Sequence, residues 1–487
     1  MSKIVVRQSS CQIQEEHDYE FLSALDNELS FDIKGAEYTS AYSGYYKDGK
    51  FVKWDGKQRL LSSKLVFAQG LLERVLNTYK LHNKEVEIVD ERIKTIGNPI
   101  DLTNNLIALN KTPRQYQIDA ANLTKKYNRG IIRIPTGGGK TLTAALMTAM
   151  IGKKTIIYVI GKDLLHQFHQ FFSSVFNQKI GIIGDGICEI ADINIASIWT
   201  VGQAIGLSKK DILFDQDEDE VEIPEKYQNI RDLLKEIRVH IFDECHYCTC
   251  DTIQGIYKNI NPEHIYGMSA SPWRDDGSEL LIESILGKNI IDISASFLIE
   301  NGWLVKPKIK FIRVPPPLNK DKHYQTIYKN YIVNNSIRND LILKNVKDLV
   351  NSGNQVLVLF NSVNHGKILY DLIKEEVPCS LLSGKDNMDT RTGVKKQLEL
   401  KEINCVIASK IFDIGVDLPS LTALVLAGSG KSSVRAIQRI GRVIRPFPNK
   451  KEAIIIDFND QAKYLKNHSK ERQRIYNSEV GFEVIGF

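Results

Sequence analysis

The sequence predicts an α/β chain in which two tandem parallel-sheet units follow a small α+β module. Three observations carry this expectation. From about Asn104 onward, short unbroken apolar runs alternate with helix-patterned stretches, as strands buried on both faces of a parallel sheet require. The stretch before it has another texture, aromatic and basic with two Asp-Gly pairs. Early in the alternating part lies IIRIPTGGGKT at 131–141, a strand, a glycine loop and a helix start in immediate succession. At 487 residues the chain has room for about three domains at roughly 100–200 residues each.

Bulk properties narrow the class. Hydrophobic content of 43% and charged content of 25% are those of a globular protein. The net charge of +5 argues only weakly for a polyanionic partner, so its distribution matters more. Seven cysteines, an odd number in a long chain, read as reduced thiols and a cytoplasmic setting. Arg7 and Gln8 interrupt the first apolar run, which excludes a signal h-region, and no stretch approaches the ~18 apolar residues of a membrane span.

Taken in order, Ile4, Val5 and Val6 suggest a strand and Tyr19–Leu29 has helical spacing. An aromatic and basic run follows: Tyr42, Tyr45, Tyr46, Lys47, Lys50, Phe51, Lys53, Trp54, Lys57 and Arg59. Lys47-Asp48-Gly49-Lys50 and Trp54-Asp55-Gly56-Lys57 each read as a hairpin turn. Two readings of the run stand. It is a nucleic-acid platform with rings for stacking and ammoniums for phosphate, or a small domain whose rings are core and whose lysines are solvated.

The α/β part opens with a helix at Arg114-Gln115-Tyr116-Gln117. Strands are expected at Thr155–Ile160, Ile193–Ser197, Val239–Phe242 and Ile265–Met268, then at Gln355–Phe360, Cys405–Ala408, Thr422–Leu426 and Ala453–Asp457. Pro315-Pro316-Pro317 marks a stiff connection, and the acidic run 215–222 reads as a solvated loop. Lys431–Arg474 holds twelve Lys/Arg against four acids, which predicts a localised positive surface.

The glycine loop carries the first chemistry. Thr136, Gly137, Gly138 and Gly139 can turn backbone N–H groups onto a phosphate, and the helix start adds favourable partial charge. Lys140 can reach β/γ-phosphates, and the Thr141 hydroxyl can hold Mg²⁺. Ile134 stands where the strict pattern has glycine, so the loop supports an NTPase without naming its class. Asp243-Glu244-Cys245-His246 follows an apolar run, which places both carboxylates at the carboxyl edge of the sheet, where ligands bind. Asp243 suits Mg²⁺ through water, and Glu244 suits polarising the attacking water. Arg439, Arg442 and Arg445 share one face if helical and, with Gln438, suit a γ-phosphate sensor. Cys245, His246, Cys248 and Cys250 are too cramped to act as four zinc ligands.

These motifs together resemble superfamily 2 helicases of the DExH type. The matching stretches are RQYQ (114–117), PTGGGKT (135–141), VIGKDLLHQ (159–167), IASIWT (195–200), DECH (243–246), SAS (269–271), LVLFNS (357–362), IFDIGVDLPSL (411–421) and QRIGRVIR (438–445). The N-terminal KWDGKQRLL, the DECH box and SVNHGKILYDLIK (362–374) are similar to phage UvsW-like branch-migration helicases. The resemblance implies two RecA-like domains, at 104–306 and 307–487, behind an N-terminal module at 1–103. It implies ATP and Mg²⁺ as cofactors. Arg114 and Gln117 would contact adenine, Gly415 and Asp417 the ribose side, and Gln438, Arg442 and Arg445 the γ-phosphate, with Arg442 as the finger. Ser269 and Ser271 would relay nucleotide state, and DNA phosphates would be gripped near Lys162, Thr200 and Ser409.

The implied activity is an ATP-dependent DNA helicase or translocase. It would unwind or branch-migrate forked and four-way-junction DNA in phage replication, recombination or repair, as a monomer, off the membrane, in the host cytoplasm. The alternatives are a duplex translocase without unwinding, or an RNA helicase. Only twenty residues separate Asp417 from Gln438, too few for a long separating hairpin, so the junction-gripping surface is expected on the N-terminal module.

Overall fold

The computed structural model describes residues 2–15, 17–47, 50–207, 224–271, 277–316, 321–383, 386, 388–409, 420–428, 430, 439–441, 443–448 and 450–486. The acidic run 215–222 and the expected site residues Gly415, Asp417, Gln438 and Arg442 lie outside them. The chain divides into two compact units: Met1–Ile134 with Gly139–Asp292, and Ile293–Phe487 with Pro135–Gly138. No helix among the described residues is long and apolar enough to cross a membrane.

The first unit is built on an eight-stranded sheet. Its order is Ile187–Glu189, Gly181–Gly184, Ile193–Ser197, Thr155–Val159, Val239–Asp243, His264–Ser269, Arg129–Arg133 and Asn289–Asp292. Every pairing is parallel except that of the edge strand Ile187–Glu189. Thr155–Val159 and Val239–Asp243 are buried at every position, which is why they read as continuous apolar runs rather than alternating ones. Tyr158, Phe242, Ile253 and Ile285 belong to the apolar core beside the sheet.

The N-terminal module is part of this unit. Its four-stranded sheet packs on the helices Tyr19–Glu28 and Leu72–Leu81 around Ile4, Phe21, Phe67, Val75 and Tyr79, and Leu280 from beyond the module joins that core. Arg74 donates to both carboxylate oxygens of Glu283 at 2.8 Å, Arg129 donates to the Gln8 carbonyl at 2.8 Å, and the Tyr257 hydroxyl donates to the Ser9 carbonyl at 2.6 Å. A truncation would uncover Leu280 and strand these partners, so point changes test the module's role more cleanly. Tyr45–Lys47 and Lys50–Val52, on either side of the first Asp-Gly pair, are paired antiparallel, the pair itself lying outside the described residues. The second does not make a hairpin: Lys57–Arg59 pairs with Ser30–Asp32. The Asp55 carboxylate accepts from the Lys57 N–H at 3.2 Å and turns the chain locally.

The second unit is a seven-stranded, all-parallel sheet. Its order is Cys379–Leu382, Cys405–Ala408, Val356–Leu359, Ala423–Leu426, Glu452–Asn459, Lys306–Arg313 and Glu483–Ile485. Its basic stretch is less of a surface than its composition suggests. Arg472 is 5% exposed and chelates Asp457 at 2.9 Å through two nitrogens. Arg439 is 8% exposed and donates to the Asn361 side-chain carbonyl at 3.1 Å. Lys450 donates to the Leu421 carbonyl at 2.6 Å, and burial pushes its ammonium down to about 8. Buried cations of this kind persist because each has a partner.

Candidate functional site

Three neighbouring strand ends in the first unit build the site. Val239–Asp243 lies beside His264–Ser269, which lies beside Arg129–Arg133. Strands are ~4.8 Å apart, so the carboxylate pair and the glycine loop are two strand steps from each other, with Ser269 at the end of the strand between them. Both pairings are parallel, so all three ends face the same edge.

The loop leaves the buried Ile134 and enters the helix Lys140–Ile151 through Gly139, at φ +85°. An L side chain is strained there, and a Cβ would lie 2.5 Å from the Gln117 side-chain nitrogen. Gln117 is 2% exposed. Its Nε2 donates to the Gly139 carbonyl at 3.2 Å, and its Oε1 accepts the Arg114 backbone N–H at 2.9 Å. The Arg114 guanidinium donates to the Tyr116 hydroxyl at 3.0 Å. The expected adenine-side residues and the phosphate loop are therefore one hydrogen-bonded assembly. Gly137, at φ +83°, and Gly138, whose N–H donates to the Pro135 carbonyl at 2.9 Å, form the preceding turn with Thr136.

Glu244 is the node of the site. It follows the buried Asp243, which is 6% exposed, and sits at φ +53°. That conformation costs a non-glycine residue about 1–2 kcal/mol. Lys140 Nζ donates to its Oε1 at 3.2 Å, Ser269 Oγ donates to its Oε2 at 3.3 Å, and His246 Nδ1 lies 3.3 Å from Oε2. Ser269 Oγ also accepts the Ser271 N–H at 3.1 Å. Burial pushes the Glu244 carboxyl up, but the Lys140 ammonium and His246 outweigh it and hold the group well below the usual carboxylate range. Glu244 is therefore an aimed, ionised carboxylate. Of the three Lys140 donors, one is committed to it.

The arrangement suits a polyphosphate. Glycines in left-handed conformation, a helix start and one lysine make an anion cradle. The Thr141 hydroxyl and the Asp243 carboxylate are hard oxygen donors of the kind Mg²⁺ takes alongside substrate phosphates. Cys245 and Cys248 lie in the apolar core, and burial raises both thiols, Cys248 well above its ordinary value.

Two family descriptions match in sequence, that of the type III restriction enzyme res subunit over residues 110–274 and that of the helicase conserved C-terminal domain over residues 339–446. The chain is a superfamily 2 helicase. It is accordingly an ATP-dependent helicase enzyme. It is 25% identical over 89% of its length, and 86% of the relative's, to the ATP-dependent DNA helicase uvsW of Enterobacteria phage T4. It is 24% identical over 77% of its length, and 86% of the relative's, to the DNA 3'-5' translocase XPB2 of Sulfurisphaera tokodaii. In fold it matches Dbp5 of S. cerevisiae, solved with RNA and ADP BeF3, at a TM-score of 0.55 and 14% identity over 79% of this chain and 93% of that one.

In this helicase the structure brings together Gln117, Gly139, Lys140, Asp243, Glu244 and Ser269. Arg445, in the second unit, is half-buried. Lys162, on the expected DNA-gripping stretch, pairs with Asp185, whose other oxygen lies 3.1 Å from His166. Two functional partners escaped the sequence reading. His246 enters that reading within DECH and among the residues too cramped to bind zinc, not as a partner of Glu244, and Asp185 does not enter it. The His at i+2 from Glu244 was a usable signal, because a tight turn after the strand folds it back onto the carboxylate. The pairing of Asp185 depends on tertiary contact alone.

Proposed function

We propose that this helicase unwinds forked DNA and branch-migrates four-way junctions in phage replication, recombination or repair, working as a monomer. The observation that carries the ATP-driven part is the three-way hold on Glu244 by Lys140, Ser269 and His246. The branched substrate is supported by the resemblance of KWDGKQRLL and SVNHGKILYDLIK (362–374) to phage UvsW-like branch-migration helicases, and the match to the phage T4 ATP-dependent DNA helicase spans more of the chain than residues 104–487 can supply. The N-terminal module at 1–103 is thus part of what the two share. We take 104–306 as the ATP-binding domain and 307–487 as the second motor domain.

Each residue has a task. Arg114 and Gln117 read adenine, and Gln117 passes its position to the loop through the Gly139 carbonyl. Thr136, Gly137, Gly138 and Gly139 wrap the phosphates, and Lys140 neutralises the β/γ oxygens. Mg²⁺, held by Thr141 and Asp243 when the nucleotide binds, supplies further charge neutralisation. Glu244 orients water for in-line attack, and Ser269 and His246 keep its carboxylate aimed. Gly415 and Asp417 serve the ribose side. Gln438, Arg442 and Arg445 stabilise the γ-phosphate, an arginine of this kind being worth roughly 10³–10⁵ in rate. Lys162, Thr200 and Ser409 hold DNA phosphates, so sequence preference is weak and binding falls steeply with salt.

The test is a panel of fork, four-way-junction, blunt duplex and RNA duplex substrates with ATP, read on native gels. Strand displacement and junction resolution on DNA support the proposal. ATP turnover on DNA without displacement of any strand would favour a duplex translocase, and displacement confined to the RNA duplex would overturn it.

A further inference from the structure

We infer that the hairpin Tyr45–Val52 is a base-stacking element that engages the branch point of DNA, with Tyr46 and Phe51 as its stacking faces; this rests on the branched-DNA reading above. The hairpin forms its own two-stranded sheet, apart from the module's four-stranded one. Tyr46 and Phe51 are cross-strand partners with ring centroids 5.4 Å apart. They are 77% and 57% exposed, and nearby Tyr38 is 88% exposed. The core of the module is filled without them, by Ile4, Phe21, Phe67 and Tyr79. The reading in which these rings serve as core therefore fails for this pair, and rings left in water at such exposure mark an interaction surface.

Gly44 has φ +92°, and a Cβ there would lie 2.2 Å from the Phe51 ring. Glycine at this position leaves room for one edge of that ring to lie against the chain.

Charge chooses the occupant. Between Tyr46 and Lys57 the chain has Lys47, Lys50, Lys53 and Lys57 against Asp48 and Asp55, and Asp55 is engaged by Arg59 at 2.6 Å. Lys53 Nζ lies 6.0 Å from the Tyr42 ring centroid. Flat rings interleaved with cations fit bases carried on a phosphate backbone. A fork or four-way junction exposes terminal base pairs and unpaired bases at its centre, while a continuous duplex offers no free base face. The hairpin therefore discriminates branched from unbranched DNA by stacking, without reading sequence.

The experiment uses the full chain with Tyr46→Ala, the double change Tyr46→Ala/Phe51→Ala, and Tyr46→Trp. Both side chains are largely in water, so the fold is not at risk. The readouts are affinity for a four-way junction, fluorescence of 2-aminopurine at the branch, and ATP turnover stimulated by a continuous, unbranched duplex. A stacked base is worth roughly 5- to 150-fold in affinity. The double change should weaken junction binding at least about tenfold and relieve the 2-aminopurine quenching, while ATP turnover on unbranched DNA stays within about twofold. Tyr46→Trp should bind and quench like the parent protein. Unchanged junction affinity and quenching in the double variant overturn the inference, as does an equal loss on unbranched DNA or a failure of Tyr46→Trp to match the parent. A parent protein that binds no branched DNA at all overturns the branched-DNA reading itself, a different result from variants that simply match it.

Discussion

Replacing Ser269 with alanine should slow ATP turnover about tenfold while leaving the KM for ATP within about twofold. The hydroxyl touches the Glu244 carboxylate at 3.3 Å and anchors the Ser271 N–H at 3.1 Å. It does not belong to the glycine loop, so ground-state binding of the phosphates should not notice its loss. A hydrogen bond to a charged group contributes about 1.5–3 kcal/mol. This one is long, and Lys140 and His246 still hold the same carboxylate, so the low end applies. About 1.5 kcal/mol in the barrier is a little over a factor of ten. Glu244→Gln should cost far more, roughly 10²–10⁴, since it removes the base itself. The assay is steady-state phosphate release with saturating single-stranded DNA, run as a double-mutant cycle. Because Ser269 acts through Glu244, adding Ser269→Ala to the Glu244→Gln enzyme should change the rate less than about twofold. A full tenfold loss in that background, or a parent-like rate for Ser269→Ala alone, would refute the assignment.

Lys140→Ala should lower ATP turnover by about 10³ or more while DNA affinity, read by fluorescence anisotropy, stays within about threefold; parent-like turnover would contradict the cradle. Gly70→Leu should loosen the N-terminal module, since even a Cβ there would lie 2.1 Å from the Glu283 carbonyl oxygen. With about 1–3 kcal/mol at stake, Tm should fall by about 5 °C and protease should cut the 91–100 connection faster; unchanged Tm and cleavage would show that the docking is not stabilising. Acid should destabilise the fold. His240 and His365 are fully buried, and burial pushes each down to about 3. Below the ordinary value of 6.5 the unfolded chain takes up protons that the folded one refuses. Stability is therefore flat above about pH 6.5 and falls by about 1.4 kcal/mol per histidine per pH unit between 6.5 and 3. Urea unfolding midpoints at pH 7.5 and pH 5 check this, and equal midpoints would contradict it.

Much of the fold could be read from sequence because its central strands are buried on both faces. Runs such as Thr155–Val159 and Cys405–Ala408 have no polar alternation to confuse them. What escaped lies at sheet edges and in mixed patterns. Lys306–Arg313 sits between two strands of its sheet, yet it alternates lysine with apolar residues and contains Pro307. Ile187–Glu189 and Glu483–Ile485 are three-residue edge strands with little to bury. The second Asp-Gly pair misled because a turn signal fixes a local bend but not the partner strand. The glycine loop stands out in the sequence because phosphate chemistry favours a local order of glycine, lysine and threonine. The hold on Glu244 does not, because it joins residues 104 and 25 positions apart through strand order alone. The basic stretch 431–474 shows the limit of composition: counting charges cannot tell Arg472, chelated by Asp457, from a solvated arginine.

The central claim is that the carboxylate held by Lys140, Ser269 and His246 activates water so that ATP hydrolysis drives work on DNA. The most direct measurement is phosphate release by the parent enzyme and by Glu244→Gln, with and without DNA, alongside strand displacement on a fork. The parent should be stimulated by DNA and should open the fork, while Glu244→Gln should still bind ATP and DNA but lose both turnover and displacement together. Turnover by Glu244→Gln within about threefold of the parent, or fork opening that survives without hydrolysis, would contradict the claim.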